Sequence, residues 1–120
     1  MAIRVVLVED NDVFRNALEV LLTLGGEIEV VASEADGEGI VARCQELAPD
    51  VLVVDYRLPG LDGVQVTKLV RERCPDVAVV ALTAAAEERE QQALIDAGAS
   101  ACIGKDRPLD EIIDAVREAA

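Results

Sequence analysis

The run Val51-Leu52-Val53-Val54, followed at once by Asp55, constrains this chain more than any other stretch. Consecutive apolar, mostly β-branched residues read as a short strand buried on both faces, the pattern of a central strand in a parallel sheet. A carboxylate at the carboxyl end of such a strand is not a packing residue. Leu58-Pro59-Gly60 and Asp62-Gly63 then supply turn chemistry, so Asp55 stands where strand hands over to loop. In an open α/β sheet, that edge is where ligands bind.

The remaining stretches fit such a sheet. Ile3 to Val8, broken by Arg4, reads as the first strand and ends in Glu9-Asp10-Asn11-Asp12. Phe14, Ala17, Leu18, Leu21 and Leu22 then share one helical face, with Asn11 or Asp12 as the cap and Gly25-Gly26 as the stop. Glu27 to Ser33 reads as the second strand. Past the Asp36-Gly37-Glu38-Gly39 turn, Ile40, Val41, Cys44 and Leu47 mark a helix closed by Pro49. Val66, Leu69 and Val70 mark a third helix ended by Cys74-Pro75, and Val77 to Leu82 a fourth strand running into Thr83. Ala84 to Ala97 is expected to be a helix with Glu87, Glu88, Glu90, Gln91 and Gln92 on its wet side. Its apolar stripe of Ala93, Leu94 and Ala97 is narrow, which makes it the least firmly packed. Gly98 ends it, Ser100 to Ile103 forms a fifth strand, and Lys105 follows. Pro108 opens a last helix with Leu109, Ile112, Ile113 and Val116 on one face.

Strands alternating with helices at intervals of roughly 25 residues imply βαβ units with right-handed crossovers. The expected fold is therefore α/β and flavodoxin-like: a (βα)5 doubly wound three-layer sandwich whose five-stranded parallel sheet has the order 2-1-3-4-5. A chain of 120 residues suits one domain spanning 1–120, with no room for a second.

Composition narrows the function. Hydrophobic residues make up 52% of the chain and aromatics 2%, so the core must be Val, Leu, Ile and Ala. A net charge of −13 repels polyphosphate, and DNA contact would need a separate output domain. The chain has no His, and Cys44, Cys74 and Cys102 form no C-x-x-C pair, so a zinc site is disfavoured and the thiols read as small apolar residues of a reduced, cytoplasmic protein. No apolar run approaches membrane-spanning length and no signal peptide is evident, so no membrane partner is expected.

Parallel strands place all their carboxyl ends on one edge, which gathers Glu9, Asp10, Asp55, Thr83 and Lys105. With strands one and three adjacent, Glu9, Asp10 and Asp55 share a crevice. Three carboxylates there repel one another unless one is protonated or a cation sits among them, and oxygen ligands that leave room for water suit Mg²⁺. Lys105 and Thr83 supply a point charge and a hydroxyl for anionic oxygens. Carboxylate nucleophile, metal, lysine and hydroxyl together describe a phosphoryl-transfer site.

These residues also carry a resemblance. Val8-Glu9-Asp10-Asn11, the run from Val54 to Gly63, Leu82-Thr83-Ala84 and Gly98-Ala99 through Lys105 resemble the receiver domain of two-component response regulators, over essentially the whole chain. Phe14-Arg15, Ala32 to Gly37 and Lys105-Asp106 look most like the NarL/LuxR subfamily, whose receivers precede a helix-turn-helix DNA-binding domain. The resemblance implies that Asp55 accepts a phosphoryl group from a histidine kinase or phosphotransfer protein. It implies Mg²⁺ held by Asp10 and Asp55, by Glu9 directly or through water, and by the backbone carbonyl of Arg57, with Thr83 and Lys105 on the phosphoryl oxygens. Such a domain is not a metabolic enzyme; it assists its own phosphorylation and hydrolysis, and homodimerisation is a further expectation.

Two residues depart from the family pattern. Cys102 stands where receivers commonly carry Tyr or Phe, three residues before the lysine, and Asp106-Arg107 separate Lys105 from Pro108. Cys102 motivates an alternative: a pseudo-receiver that signals through phosphorylation-independent contacts. A phosphatase with an aspartate nucleophile is disfavoured because Arg57 stands where its second carboxylate would be, and flavin binding because Glu9-Asp10-Asn11-Asp12 repels a flavin phosphate. Taken singly, the Glu9–Asp12 cluster is a helix start, Thr83 a cap, Lys105 a surface lysine, Asp62-Gly63 a helix entry, and Asp36 with Glu87 to Glu90 solvated surface. Their coincidence at strand ends overrides the bland reading for Glu9, Asp10, Thr83 and Lys105.

Overall fold

A computed structural model describes residues 2–84 and 87–120. Its elements alternate as β1 (Ile3–Val8), α1 (Asp12–Thr23), β2 (Ile28–Glu34), α2 (Ile40–Leu47), β3 (Val51–Asp55), α3 (Gly63–Arg73), β4 (Ala78–Thr83), α4 (Glu88–Asp96), β5 (Ala101–Gly104) and α5 (Leu109–Ala119). All four strand pairings are parallel and the order is β2-β1-β3-β4-β5, as the alternation predicts.

Side chains of the central strands point alternately to two helical layers. Val5, Leu7, Val51, Val53, Val80 and Leu82 pack with Leu18 and Leu22 of α1 and with Ile112, Ala115 and Val116 of α5. Val6, Val8, Leu52, Val54, Val79 and Ala81 pack with Ile40 and Cys44 of α2, Val66 and Val70 of α3, and Leu94 of α4. Every residue of β3 is buried, which is why that stretch reads as unbroken hydrophobicity. β2 lies at the edge, and its register to β1 slips by one residue at Val31, between Val30 and Ala32.

Arg4, the one charge in β1, closes the end of α2. Its guanidinium donates to the carbonyls of Leu47 (2.5 Å) and Ala48 (3.1 Å), while its backbone N–H donates to Asp50 Oδ2 at 2.9 Å. Helix termini leave such carbonyls without partners, so the arginine satisfies a structural need. Asn11 is the cap of α1, accepting from the Phe14 N–H at 2.9 Å.

The observed bounds differ from the expected ones at the working edge, because Asp55 and Thr83 still belong to the hydrogen-bonded ladder and are the last residues of β3 and β4. α4 begins at Glu88; of the helix expected from Ala84, Ala85 and Ala86 lie outside the described residues. Within α4, Leu94 and Glu90 are buried. The burial of Glu90 corrects its assignment to the wet side: it shares an inward face with Leu94, four residues on. Cys44 and Cys74 are buried and Cys102 half-buried, all as free thiols.

Asp62-Gly63 is a helix entry, as expected. Asp62 and Gln65 form a reciprocal capping box at 2.9 and 3.0 Å, and the Gly63 N–H donates to the Tyr56 carbonyl at 2.8 Å. α3 thus begins flush against the end of β3, where a Cβ on Gly63 would lie 2.5 Å from the Asp55 carbonyl oxygen and 2.7 Å from Tyr56 Cα. Gly63→Ala is expected to destabilise the fold by about 1–3 kcal/mol in urea unfolding, through backbone displaced beneath Asp55.

Candidate functional site

Adjacent parallel strands assemble the site. Val8 pairs with Val54, which brings Glu9, one residue past β1, beside Asp55. On the far side of β4, the Lys105 N–H donates to the Thr83 carbonyl at 2.7 Å, extending the ladder one step past β5. Alternation then divides the edge. Glu9, Asp55 and Lys105 continue the rows of Leu7, Val53 and Ile103, toward α1 and α5; Thr83 and Cys102 continue the row of Ala81, toward α4.

On the α1 side the charges are close and dry. Asp55 is 3% exposed and Glu9 fully buried. The Lys105 ammonium lies 2.5 Å from Glu9 Oε1 and 3.2 Å from Asp55 Oδ2; the Glu9 contact is an ion pair, since that oxygen has no hydrogen bond of good geometry. The other Glu9 oxygen accepts from the Asn11 N–H at 3.1 Å. One cation therefore faces two buried carboxylates. Burial, and next the charge of Glu9, push the Asp55 carboxyl up to about 7, against the opposing pull of Lys105. Burial works to lower the Lys105 ammonium, but its close contact with Glu9 and the charges of Asp55 and Glu9 outweigh that and raise it. Both shifts express one imbalance: the site holds more negative charge than Lys105 neutralises.

Asp10, exposed, adds a third carboxylate. One oxygen from each of Glu9, Asp10 and Asp55 lies within 4.8 Å of the others, so the site expected from the sequence does come together. Hard oxygen donors with surplus negative charge and an open side suit Mg²⁺. A cleft of about 380 Å³ lies at the opposite, amino edge of the sheet, lined by Cys44, Cys74 and the ends of α2 and α3. It has no comparable charge cluster, and burial pushes the Cys44 thiol up to about 12 and raises that of Cys74, so neither is a nucleophile at neutral pH.

The α4 side is different in kind. Thr83 is fully buried, yet its hydroxyl has no hydrogen-bond partner among the described residues. An unsatisfied buried hydroxyl at the mouth of an acidic site is a donor waiting for an acceptor. Beside it, burial raises the Cys102 thiol, and the charge of Glu90 adds to that. Glu90 Oε2 in turn lies 3.7 Å from the Arg57 guanidinium, which reaches over from the loop after β3 and is itself largely exposed.

The family model for the response regulator receiver domain matches residues 5–117. The chain belongs to the response regulator receiver family. The receiver is 33% identical, over 118 residues and 98% of its length, to the response regulator protein VraR of Staphylococcus aureus, covering 56% of that protein. It thus spans about half the length of the curated relatives it matches. Among solved structures, it superposes on the signal receiver domain of NarL from Mycobacterium tuberculosis with a TM-score of 0.92 and 32% identity, covering 98% of this chain and 94% of that one. A LuxR-family two-component response regulator from Aurantimonas sp. gives a TM-score of 0.92 at 25% identity, over 98% and 84% of the two chains. The NarL/LuxR-like character read from the sequence is borne out.

Several residues of the receiver's site escaped the sequence reading. Phe14 lies beneath the Lys105 ammonium, with its ring centroid 4.8 Å from Nζ. Arg15 donates to the Glu9 carbonyl at 2.7 Å and pairs with Asp12 at 2.6 Å, bracing the β1–α1 loop. Val13, Val20 and Leu24 are 80%, 59% and 73% exposed, an uncovered stripe that starts at the site. Their i, i+7, i+11 spacing was visible, but the sequence could not say which side of an apolar helix the sheet would cover.

Because the Asp55 carboxyl titrates near 7 rather than near 3.8, the folded chain binds the extra proton between those values, and stability falls as pH rises through that window. Asp55→Asn is therefore expected to be more stable than the unmodified protein at pH 8 by roughly 1–3 kcal/mol, with the gap closing toward pH 4 in paired thermal melts.

Proposed function

We propose that this receiver captures a phosphoryl group on Asp55. The observation that supports the reading best is the unbalanced charge around that buried carboxylate, next to a buried hydroxyl with no partner. Glu9, Asp10 and Asp55, with the Arg57 backbone carbonyl, would hold Mg²⁺, which supplies charge neutralisation for the incoming phosphoryl oxygens. A carboxylate oxygen of Asp55 forms the new O–P bond while the donor's P–N or P–O bond breaks and the leaving group departs with that electron pair. The Lys105 ammonium, already 3.2 Å from Asp55, pairs with a phosphoryl oxygen, and the Thr83 hydroxyl donates to another. Hydrolysis of the acyl phosphate resets the site.

The donor is a histidine kinase or phosphotransfer protein, and the exposed stripe on α1, next to the acceptor, suits an apolar helical partner. Residues 1–120 act as one receiver unit in the cytoplasm; among the described residues, no helix is long and apolar enough to cross a membrane. By analogy with the LuxR-family relatives, output would run through a DNA-binding domain, with homodimerisation as a further outcome of phosphorylation. Cys102 lacks the bulk of an aromatic readout, so the signal would pass from Thr83 and the Arg57–Glu90 pair to α4. Glu90 is costly to strand without its partner, because it is buried.

Incubation with acetyl phosphate is expected to add one phosphoryl mass, dependent on Mg²⁺ and absent in Asp55→Asn, by intact mass spectrometry. No adduct on folded protein would leave the pseudo-receiver that Cys102 motivates. In hydrogen exchange, the same treatment is expected to speed exchange of residues 88–97 in the unmodified protein, and to change it little in Thr83→Ala.

A further inference from the structure

Lys105 rests on the oxygens that a cation would need. Its ammonium sits on Glu9 and Asp55, two of the three members of the carboxylate cluster. A divalent ion held by Glu9, Asp10 and Asp55 would compete with the Lys105 ammonium for the same oxygens. Before a phosphoryl oxygen arrives, what remains within reach is the Phe14 ring, 4.8 Å away.

That ring is well fixed. Phe14 packs against the core between the sheet, α1 and α5. Its backbone N–H is held by the Asn11 cap at 2.9 Å, and its neighbour Arg15 is tied to the Glu9 carbonyl, so the residue carrying the ring is anchored to the acidic loop. Its attraction for a cation comes from the ring quadrupole, which a metal does not compete for as it does for a carboxylate. On the reading that Asp55 is the acceptor, we infer that Phe14 is a positioning residue: its face keeps the Lys105 ammonium at the acceptor while Glu9 and Asp55 are engaged elsewhere.

The composition makes a clean test possible. Phe14 is the only phenylalanine, so biosynthetic replacement by 4-fluoro- and 3,4,5-trifluorophenylalanine alters this ring alone, draining its face of charge at nearly constant shape. The rate of Mg²⁺-dependent adduct formation with acetyl phosphate is expected to fall stepwise with fluorination, by about two- to fivefold for the trifluoro ring, while the melting temperature holds. Phe14→Leu should match or exceed that loss and Phe14→Tyr should restore the rate. The second readout needs no turnover: with Lys68 the only other lysine, the Lys105 ε-methylene resonance should lie upfield of that of Lys68 and stay there as Mg²⁺ is added, and lose the displacement in Phe14→Leu. Equal rates across the fluorinated series, or a Lys105 resonance that joins that of Lys68 when Mg²⁺ binds, would overturn the positioning role alone. Absence of any adduct in the unmodified protein would instead overturn the acceptor reading, and this role with it.

Discussion

One imbalance organises the molecule: a single ammonium, Lys105, set against the two buried carboxylates Glu9 and Asp55. Burying even one unpaired charge is costly, and burying an excess of one sign is more so. The fold tolerates it because β1 and β3 are held side by side by hydrophobic rows that bury completely. The excess keeps Asp55 partly protonated near neutral pH and makes the crevice receptive to a cation. Stability is given up at the place where chemistry is to happen.

The pleat of the sheet divides the labour around that point. On the α1 and α5 side stand Glu9, Asp55, Lys105 and Phe14, which hold and balance charge. Toward α4 stand Thr83 and Cys102, a hydroxyl without a partner among the described residues and a small thiol, and α4 itself contributes Glu90, 3.7 Å from Arg57. The two sides are joined where the Lys105 N–H donates to the Thr83 carbonyl. α4 is suited to respond. It is short, it buries little besides Leu94, and its buried carboxylate depends on a partner carried by another loop.

The acidic loop is braced from outside the acid cluster itself. Asn11 caps α1, Arg15 holds the Glu9 carbonyl and Phe14 underlies Lys105, so the cap and first turn of α1 converge on the carboxylates. The same helix turns Val13, Val20 and Leu24 outward, leaving an apolar face at the entrance to the crevice.

Strand order, both helical layers and the meeting of Glu9, Asp10, Asp55, Thr83 and Lys105 at one edge were legible in the sequence. The reason is that hydrophobic period and turn chemistry are local, and parallel crossovers force all strand ends to one side. Glu90 was misread as solvated, because a glutamate among glutamates and glutamines carries no local sign of burial; its inward turn follows from where α4 meets β5 and the loop after β3. Nor could Phe14 have been assigned to Lys105, 91 positions along the chain, since an aromatic on an apolar helical face looks the same whether it fills core or receives a cation. The sequence by itself determined which elements form and which edge gathers Glu9, Asp10, Asp55, Thr83 and Lys105. Tertiary structure alone decided which charges are paired, which are left in excess and which side chains stand between them, because those depend on distances between elements that no local pattern encodes.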